Sequence, residues 1–234
     1  MSNLYGLIFD VDGVIADTEP YNARATIKVF EDLFGVKGVQ RKDFNAGLGR
    51  GAEEYVKAAA RIHGLDLTED QVKKAVLQRQ ENFLKILASE PLSAFDGVLD
   101  LMNAALSRND FKLAIVTSSS RQISEPTLCS AKIPYEKMAY ITGDKVTYKK
   151  PDPQLFLLAA EAIGIEPVRC VVIEDAPDGV QAAKAAGANC IAVTNSASFE
   201  NLRKADLVCD SLLKINIGMI TKLIDFGKAA ARTS

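Results

Sequence analysis

Leu7-Ile8-Phe9-Asp10-Val11-Asp12-Gly13-Val14 is the stretch on which the fold turns. An apolar run stops on an aspartate, a second aspartate follows two positions later, and a glycine comes next. Such a run describes a strand buried on both faces that presents a charged side chain at its carboxyl end. Similar short apolar runs recur down the chain and place strands at 5–10, 112–117, 139–142, 170–174, 190–194 and 206–209. Amphipathic segments lie between them. Leu155–Ile163 and Val180–Ala186 read as helices, each closed by a glycine, Gly164 or Gly187, where a helix C-terminus is expected. Strands alternating with helices predict an α/β fold, a Rossmann-like parallel sheet covered by helices.

The interval from about residue 15 to 90 breaks that rhythm, reading as helix after helix without a convincing strand. It is expected to form an inserted helical cap over residues 16–90, with residues 1–15 and 91–234 forming the α/β core. Thr18 is expected to cap the first inserted helix, with Glu19 and Pro20 in its opening turn. Ala23, Ile27, Phe30 and Phe34 recur at helical spacing and predict packing within the insertion. Hinges are expected near 14–17 and 88–94.

Composition excludes several functions. Of 234 residues, 48% are hydrophobic and 25% charged, as in a globular protein. A formal charge of −2 gives no general attraction to nucleic acid or to anionic membranes, so neither is an expected partner. No stretch reaches eighteen apolar residues and the first residues do not read as a signal peptide, so the expected location is the cytoplasm. Cys129, Cys170, Cys190 and Cys209 lack the paired spacing of zinc or redox sites, and Cys170 and Cys190 read as small hydrophobes in buried strands. His63 is the single histidine, which excludes multi-histidine metal centres and argues against histidine-based triads, and it is expected on a solvated helix end before Gly64.

In an open parallel sheet, ligands bind beyond the carboxyl ends of the strands, near the point where strand order reverses. Asp10 and Asp12 follow one apolar run, and Glu174 and Asp175 another. Were those strands neighbours, Asp10 and Asp175 would converge and repel, which calls for a bound cation. Oxygen donors without histidine or thiolate point to Mg²⁺. Thr117-Ser118-Ser119-Ser120 closes a third run with hydroxyls and successive amides at a helix start, a cradle suited to phosphate. Lys150, held before Pro151, aims a cation at the same rim, with Lys149 as its competitor. Asp144, Asp152 and Asp178 lie near that rim and read as turn residues or helix caps.

These four elements, in this order, resemble the haloacid dehalogenase superfamily over essentially the whole chain. Asp10-Val11-Asp12-Gly13-Val14 is similar to its first motif, Thr117 to its hydroxyl motif, Lys150 to its lysine and Glu174-Asp175 to its acidic fourth motif. The helical insertion and Asp17-Thr18-Glu19-Pro20 look like the first type of cap, found in the β-phosphoglucomutase-like subgroup. The resemblance implies that Asp10 is a covalent nucleophile and Asp12 a general acid and base. It also implies that Asp10, the Asp12 carbonyl and Asp175 hold Mg²⁺, with Glu174 beside them. Lys150, Thr117 and the segment Ser118-Ser119 would then neutralise the phosphoryl oxygens.

Within the cap, Gly47-Leu48-Gly49-Arg50-Gly51 reads as a flexible loop that carries Arg50 toward a substrate anion, with Asn22 as a second substrate contact. The mutases of the subgroup carry a histidine where Asn22 stands, and a lysine and an arginine where Leu48 and Ala52 stand. Those departures favour an Mg²⁺-dependent phosphatase of a small phosphorylated metabolite, a sugar phosphate, over a sugar-phosphate mutase. A non-catalytic binding protein that keeps the fold is the third alternative. The expected state is a monomer or a weak homodimer.

Overall fold

The computed structural model describes residues 4–231. Its strands are β1 (Tyr5–Asp10), β2 (Phe111–Val116), β3 (Ala139–Ile141), β4 (Cys170–Glu174), β5 (Asn189–Val193) and β6 (Leu207–Cys209). They form one parallel sheet in the order β3-β2-β1-β4-β5-β6. The chain therefore starts at the centre, winds out to β3, and crosses back to lay β4 against the free side of β1. Strand order reverses between β1 and β4, where an α/β sheet opens its ligand crevice.

Between β1 and β2 lie the cap helices α1 (Glu19–Phe34), α2 (Ala52–Ile62) and α3 (Glu69–Ser89). The later helices are α4 (Val98–Leu106), α5 (Arg121–Ser130), α6 (Gln154–Ile163), α7 (Pro177–Ala185), α8 (Phe199–Leu202) and α9 (Ile217–Ala231). Successive strand residues point to opposite faces. Leu7, Phe9, Ile115 and Ile173 thus pack against Met102 of α4 and Ile220 of α9. Ile8, Ala114 and Val172 on the other face meet Phe156 of α6 and Val180 of α7. Two covered faces explain why these strands read as unbroken apolar runs rather than alternating ones. Cys170 and Cys190 lie within this packing, both buried and free.

The cap has its own apolar centre, where Phe30 of α1, Phe44, and Tyr55 and Val56 of α2 meet Ala75 of α3. A second cluster joins it to the core: Ala25, Phe83 and Leu87 from the cap pack with Leu92 and with Ile123 of α5. The two chain crossings between cap and core run side by side. Phe95 N donates to Ile15 O at 2.8 Å, and Ala16 and Ala94 form an antiparallel bridge.

Three expectations change in detail. β2 and β5 begin and end one residue earlier than the apolar runs suggest, so Thr117 is the first residue beyond β2. Thr18 does not cap α1; it adopts a helical backbone conformation, and its hydroxyl donates to Asp12 Oδ1 at 2.6 Å. His63 is not a solvated helix end, because its ring packs near Phe30 and its Nε2 lies 2.8 Å from Asp43 Oδ2. Single residues beside a glycine look solvated in sequence until the neighbouring helix covers them.

Candidate active site

The parallel register brings the carboxyl ends of three strands level: Asp10 pairs with Val116, and Phe9 with Ile173, one residue before Glu174. Asp10 points into the crevice, where Lys150 Nζ stands 2.6 Å from its Oδ1. Lys150 also donates to Glu174 Oε1, so one ammonium bridges two carboxylates. Lys149 turns elsewhere and donates to the Gly143 carbonyl. All of Asp10, Lys150, Glu174 and Asp175 are buried.

Asp12 faces a different set. Its Oδ1 accepts from Thr18, and its Oδ2 accepts from Thr117 Oγ1 at 2.9 Å and from Ser119 Oγ at 3.3 Å. Two aspartates only two positions apart can diverge because the chain leaves strand geometry at Gly13, whose φ is +80°. A side chain at that position would also collide with the Asp175 carboxylate and the Ser196 hydroxyl.

Glu174 is fully engaged. Its Oε2 accepts from the amides of Asp175 at 2.8 Å and Ala176 at 3.0 Å, while Oε1 holds Lys150. Gly179 lets α7 approach, since any Cβ there would strike the Glu174 carboxylate. Among the described residues, Asp175 has no such cationic partner. Burial, with repulsion from Glu174 and Asp10, pushes its carboxyl well above the ordinary range, against a hydrogen bond from Ser196. Burial likewise raises Asp10, where Lys150 pulls down and Glu174 and Asp12 push up. Burial opposes the charge on Lys150, but Asp10 and Glu174 outweigh it and hold the lysine as a cation.

Three buried carboxylates, Asp10, Glu174 and Asp175, therefore share one ammonium. The charge deficit and the all-oxygen donors fit a hard divalent cation between Asp10 and Asp175. Among the described residues, no three acidic, histidine or cysteine side chains already form a cage. The reason is visible: Glu174 is turned away onto Lys150 and two amides, so main-chain oxygen and water would complete the shell.

Above the strand ends, the cavity of about 70 Å³ is roofed by Glu19 and Asn22 of α1, Tyr55 of α2 and Arg79 of α3. Asn22, picked out in the sequence, lines this wall, but its Oδ1 accepts from Arg79 Nη2 at 2.6 Å. Arg50 does not line the cavity; its Nε reaches Asp178 Oδ2 at 2.5 Å, joining the cap loop to the start of α7. The Asp178 side chain is thus an ion-pair partner rather than a cap. Ser118 and Ser119 both line the cavity, and the Ser118 hydroxyl donates to Gly49 O at 2.8 Å across the cap boundary. The Ser119 amide donates to Thr117 Oγ1 at 2.9 Å, which orders the cradle internally. Asp144 and Asp152 act locally, accepting from the amides of Arg121 and Gln154.

The sequence does not mark Glu19, Tyr55, Arg79 or Ser196 as site residues, although Glu19 belongs to the stretch Asp17-Thr18-Glu19-Pro20. Ser196 follows β5 and so falls under the rule that picks residues after strands. Arg79 has a subtler signal, an arginine set in the buried stripe Val72, Ala75 and Phe83 of α3. Burial pushes the Glu19 carboxyl up to about 7, against the Tyr55 hydrogen bond and the charges of Arg41 and Arg79.

A strand-end aspartate beside a buried lysine, a second aspartate among hydroxyls and a lid of helices define a class of α/β hydrolase. The chain belongs to that class: residues 6–187 match the haloacid dehalogenase-like hydrolase family. Fructose-1-phosphate phosphatase YqaB of Escherichia coli is 32% identical over 80% of this chain and 95% of its own length. The structure of CbbY from Rhodobacter sphaeroides in complex with xylulose-(1,5)bisphosphate superposes with a TM-score of 0.83. It is 26% identical, covering 93% of this chain and 99% of that one. β-Phosphoglucomutase from Clostridium difficile shares the fold, with a TM-score of 0.85 at 23% identity over 97% of this chain and 99% of its own. Among the described residues no helix is long and apolar enough to cross a membrane.

Proposed function

We propose that the chain is an Mg²⁺-dependent phosphatase of small sugar phosphates that works through an aspartyl-phosphate on Asp10. The observation that carries this reading is the division of labour between Asp10 and Asp12. Asp10 sits against Lys150 and, among the described residues, has no hydrogen-bond donor other than that cation, as a nucleophile toward an anion needs. Asp12 sits among three hydroxyls, as a proton carrier needs.

In the first step an Asp10 oxygen forms a bond to phosphorus while the bond to the sugar oxygen breaks, and Asp12 gives that oxygen its proton. In the second step Asp12 takes a proton from water, the water oxygen bonds to phosphorus, and the Asp10–phosphorus bond breaks. Lys150 and the Thr117 hydroxyl balance charge on the phosphoryl oxygens. Mg²⁺, held by Asp10, Asp175 and the Asp12 carbonyl, would offset the repulsion between the carboxylates and the incoming phosphate. Residues 16–90 would act as the lid that keeps other water out and sets substrate choice.

The relatives support the substrate class, since YqaB is named for fructose 1-phosphate and CbbY was captured with a sugar bisphosphate. Asn22 supports hydrolysis over mutase chemistry, because an amide committed to Arg79 cannot relay a proton to a second sugar. Asp10→Asn is expected to abolish phosphate release and the acid-labile phosphoenzyme. Chelation should also stop turnover, with Mg²⁺ restoring it. Full activity in Asp10→Asn would overturn the assignment.

A further inference from the structure

The loop that follows β5 touches both strand ends that would carry the cation. Val193, the last residue of β5, pairs with Cys209 of β6, and Thr194 N donates to Cys209 O at 3.0 Å, so the loop leaves the sheet from a fixed base. The next residue, Asn195, donates from Nδ2 to Gly13 O at 2.8 Å, far away in the chain. Ser196 then lines the active-site cavity, and its hydroxyl bonds the Asp175 carboxyl. A Cβ on Gly13 would strike both the Asp175 carboxylate and Ser196 Oγ, which places the three residues in one tight cluster.

The two-step transfer on Asp10 assigns neither Asn195 nor Ser196 a bond to make or break. Both suit the seat of a hard cation. Gly13 N donates to Ala16 O at 3.0 Å. Across a planar trans peptide the N–H and C=O point opposite ways, so that bond sets the direction in which the Asp12 carbonyl faces. Asn195 fixes the peptide that follows, and Gly13 is held from both sides. Such a hold matters to a small ion that demands near-ideal octahedral geometry, because a main-chain ligand cannot adjust by rotating a side chain. Asp175 is buried and, among the described residues, has no cationic partner. A neutral hydroxyl orients this carboxylate without cancelling its charge, whereas a lysine or arginine in the same place would compete with the metal. One loop thus reaches the β1 end through Asn195 and the β4 end through Ser196, the two strands between which the order reverses.

We infer that Asn195 and Ser196 are positioning residues for a divalent cation, Asn195 by fixing the main chain beside the Asp12 carbonyl and Ser196 by fixing the Asp175 carboxylate. Neither touches the ion; each limits the freedom of a group that does. The inference rests on the metal part of the phosphatase reading and deepens it, by assigning to the β5 loop a share of the affinity for Mg²⁺.

The test is Mg²⁺ binding to the full chain, measured by isothermal titration calorimetry without substrate at one fixed pH. Ser196→Ala and Asn195→Ala should each raise the Mg²⁺ dissociation constant about three- to tenfold, and Ser196→Thr, which keeps the hydroxyl, should stay within about twofold of the wild type. The Mg²⁺ concentration that gives half-maximal phosphate release from p-nitrophenyl phosphate should shift by the same factors. Both residues are exposed, so their variants are expected to fold. Thermal unfolding in a chelator identifies one that does not, and either alanine variant alone suffices. Wild-type dissociation constants in the folded alanine variants, or a Ser196→Thr chain as weak as Ser196→Ala, would overturn the inference and leave the phosphatase reading standing. A wild-type chain that releases phosphate but binds no Mg²⁺ would remove the metal from that reading, and this inference with it. Weakened binding in the variants of a chain that releases no phosphate would uphold the inference and remove the phosphatase.

Discussion

Asp10 and Glu174 end strands and Thr117 directly follows one, whereas Glu19, Asn22, Tyr55 and Arg79 come from the flanks of three separate helices. The first group is positioned by ladder hydrogen bonds, which leave little freedom at a strand end. The second group is positioned by side-chain packing, and each member holds the next: Asn22 orients Arg79, and Tyr55 lies against Arg79 and bonds Glu19. The core offers a dense array of charge with one chemical purpose. The cap offers a polar wall that can change residue by residue without disturbing the sheet. On the proposed reading, reaction and selectivity fall to parts of the molecule with different mechanical constraints.

Substitutions can break that contrast. The largest expected effect is in the core: Lys150→Met should lower kcat by about 10²–10³-fold. It should also cost about 3–5 kcal/mol in urea unfolding, because Asp10 and Glu174 lose the ammonium between them. Wild-type turnover in that variant would show the strand-end lysine to be replaceable. Asp12→Asn comes next, with a loss of about 10²–10⁴-fold on sugar phosphates. With p-nitrophenyl phosphate, whose leaving group needs no proton, the first step should survive and give a burst of p-nitrophenolate. Absence of a burst, with sugar phosphates still turned over, would separate Asp12 from the proton.

On the cap side the effects should be smaller. The Glu19 carboxyl rises from its ordinary 4.5 to about 7, so the folded chain holds a proton there that the unfolded chain releases. Wild-type stability should therefore fall as pH rises from 4.5 to 7 through this group, by at most about 3 kcal/mol. Glu19→Gln should unfold at a higher temperature than the wild type at pH 8 and no higher at pH 4.5. An equal difference at both values would show that Glu19 is not held in its neutral form. The smallest effect belongs to Arg50 and Asp178, whose side chains are 46% and 22% exposed. A double-mutant cycle of alanine variants should return a coupling of no more than about 1 kcal/mol in thermal unfolding. A much larger coupling would make this pair a principal bond between cap and core.

Legibility in the sequence divides along the same line. Strands buried on both faces write themselves as apolar runs, and a carboxylate or hydroxyl that ends such a run has few structural reasons to be there. Asp10, Asp12, Thr117 and Glu174-Asp175 are visible for that reason, and Lys150 because it directly precedes Pro151. Glu19 is visible as an acid in the first turn of a helix, a place where acids are common, and within Asp17-Thr18-Glu19-Pro20, and neither marks it as a wall of the cavity. Arg79 and Tyr55 acquire meaning only when α2 and α3 fold onto α1, a contact that helical periodicity does not encode. Thr18 is of the type that caps helices, but the bend after Gly13 returns the chain toward Asp12 and its hydroxyl goes there instead. Arg50 stands in a glycine-rich loop that suggests an anion site, and a carboxylate from α7 has taken that place.

The paired crossings at Ile15-Ala16 and Ala94-Phe95 bear on how the cap can move. A single connecting strand would behave as a tether, free to swing and twist. Two antiparallel crossings laced by a hydrogen bond and a bridge behave as the leaf of a door hinge, stiff to shear and torsion and soft to one bend. Thr18, just past that leaf, carries its hydroxyl to Asp12, so each swing of the door moves the donor that meets the proton carrier. On the proposed reading, opening to admit a substrate and setting the acid that releases its leaving group would be a single motion.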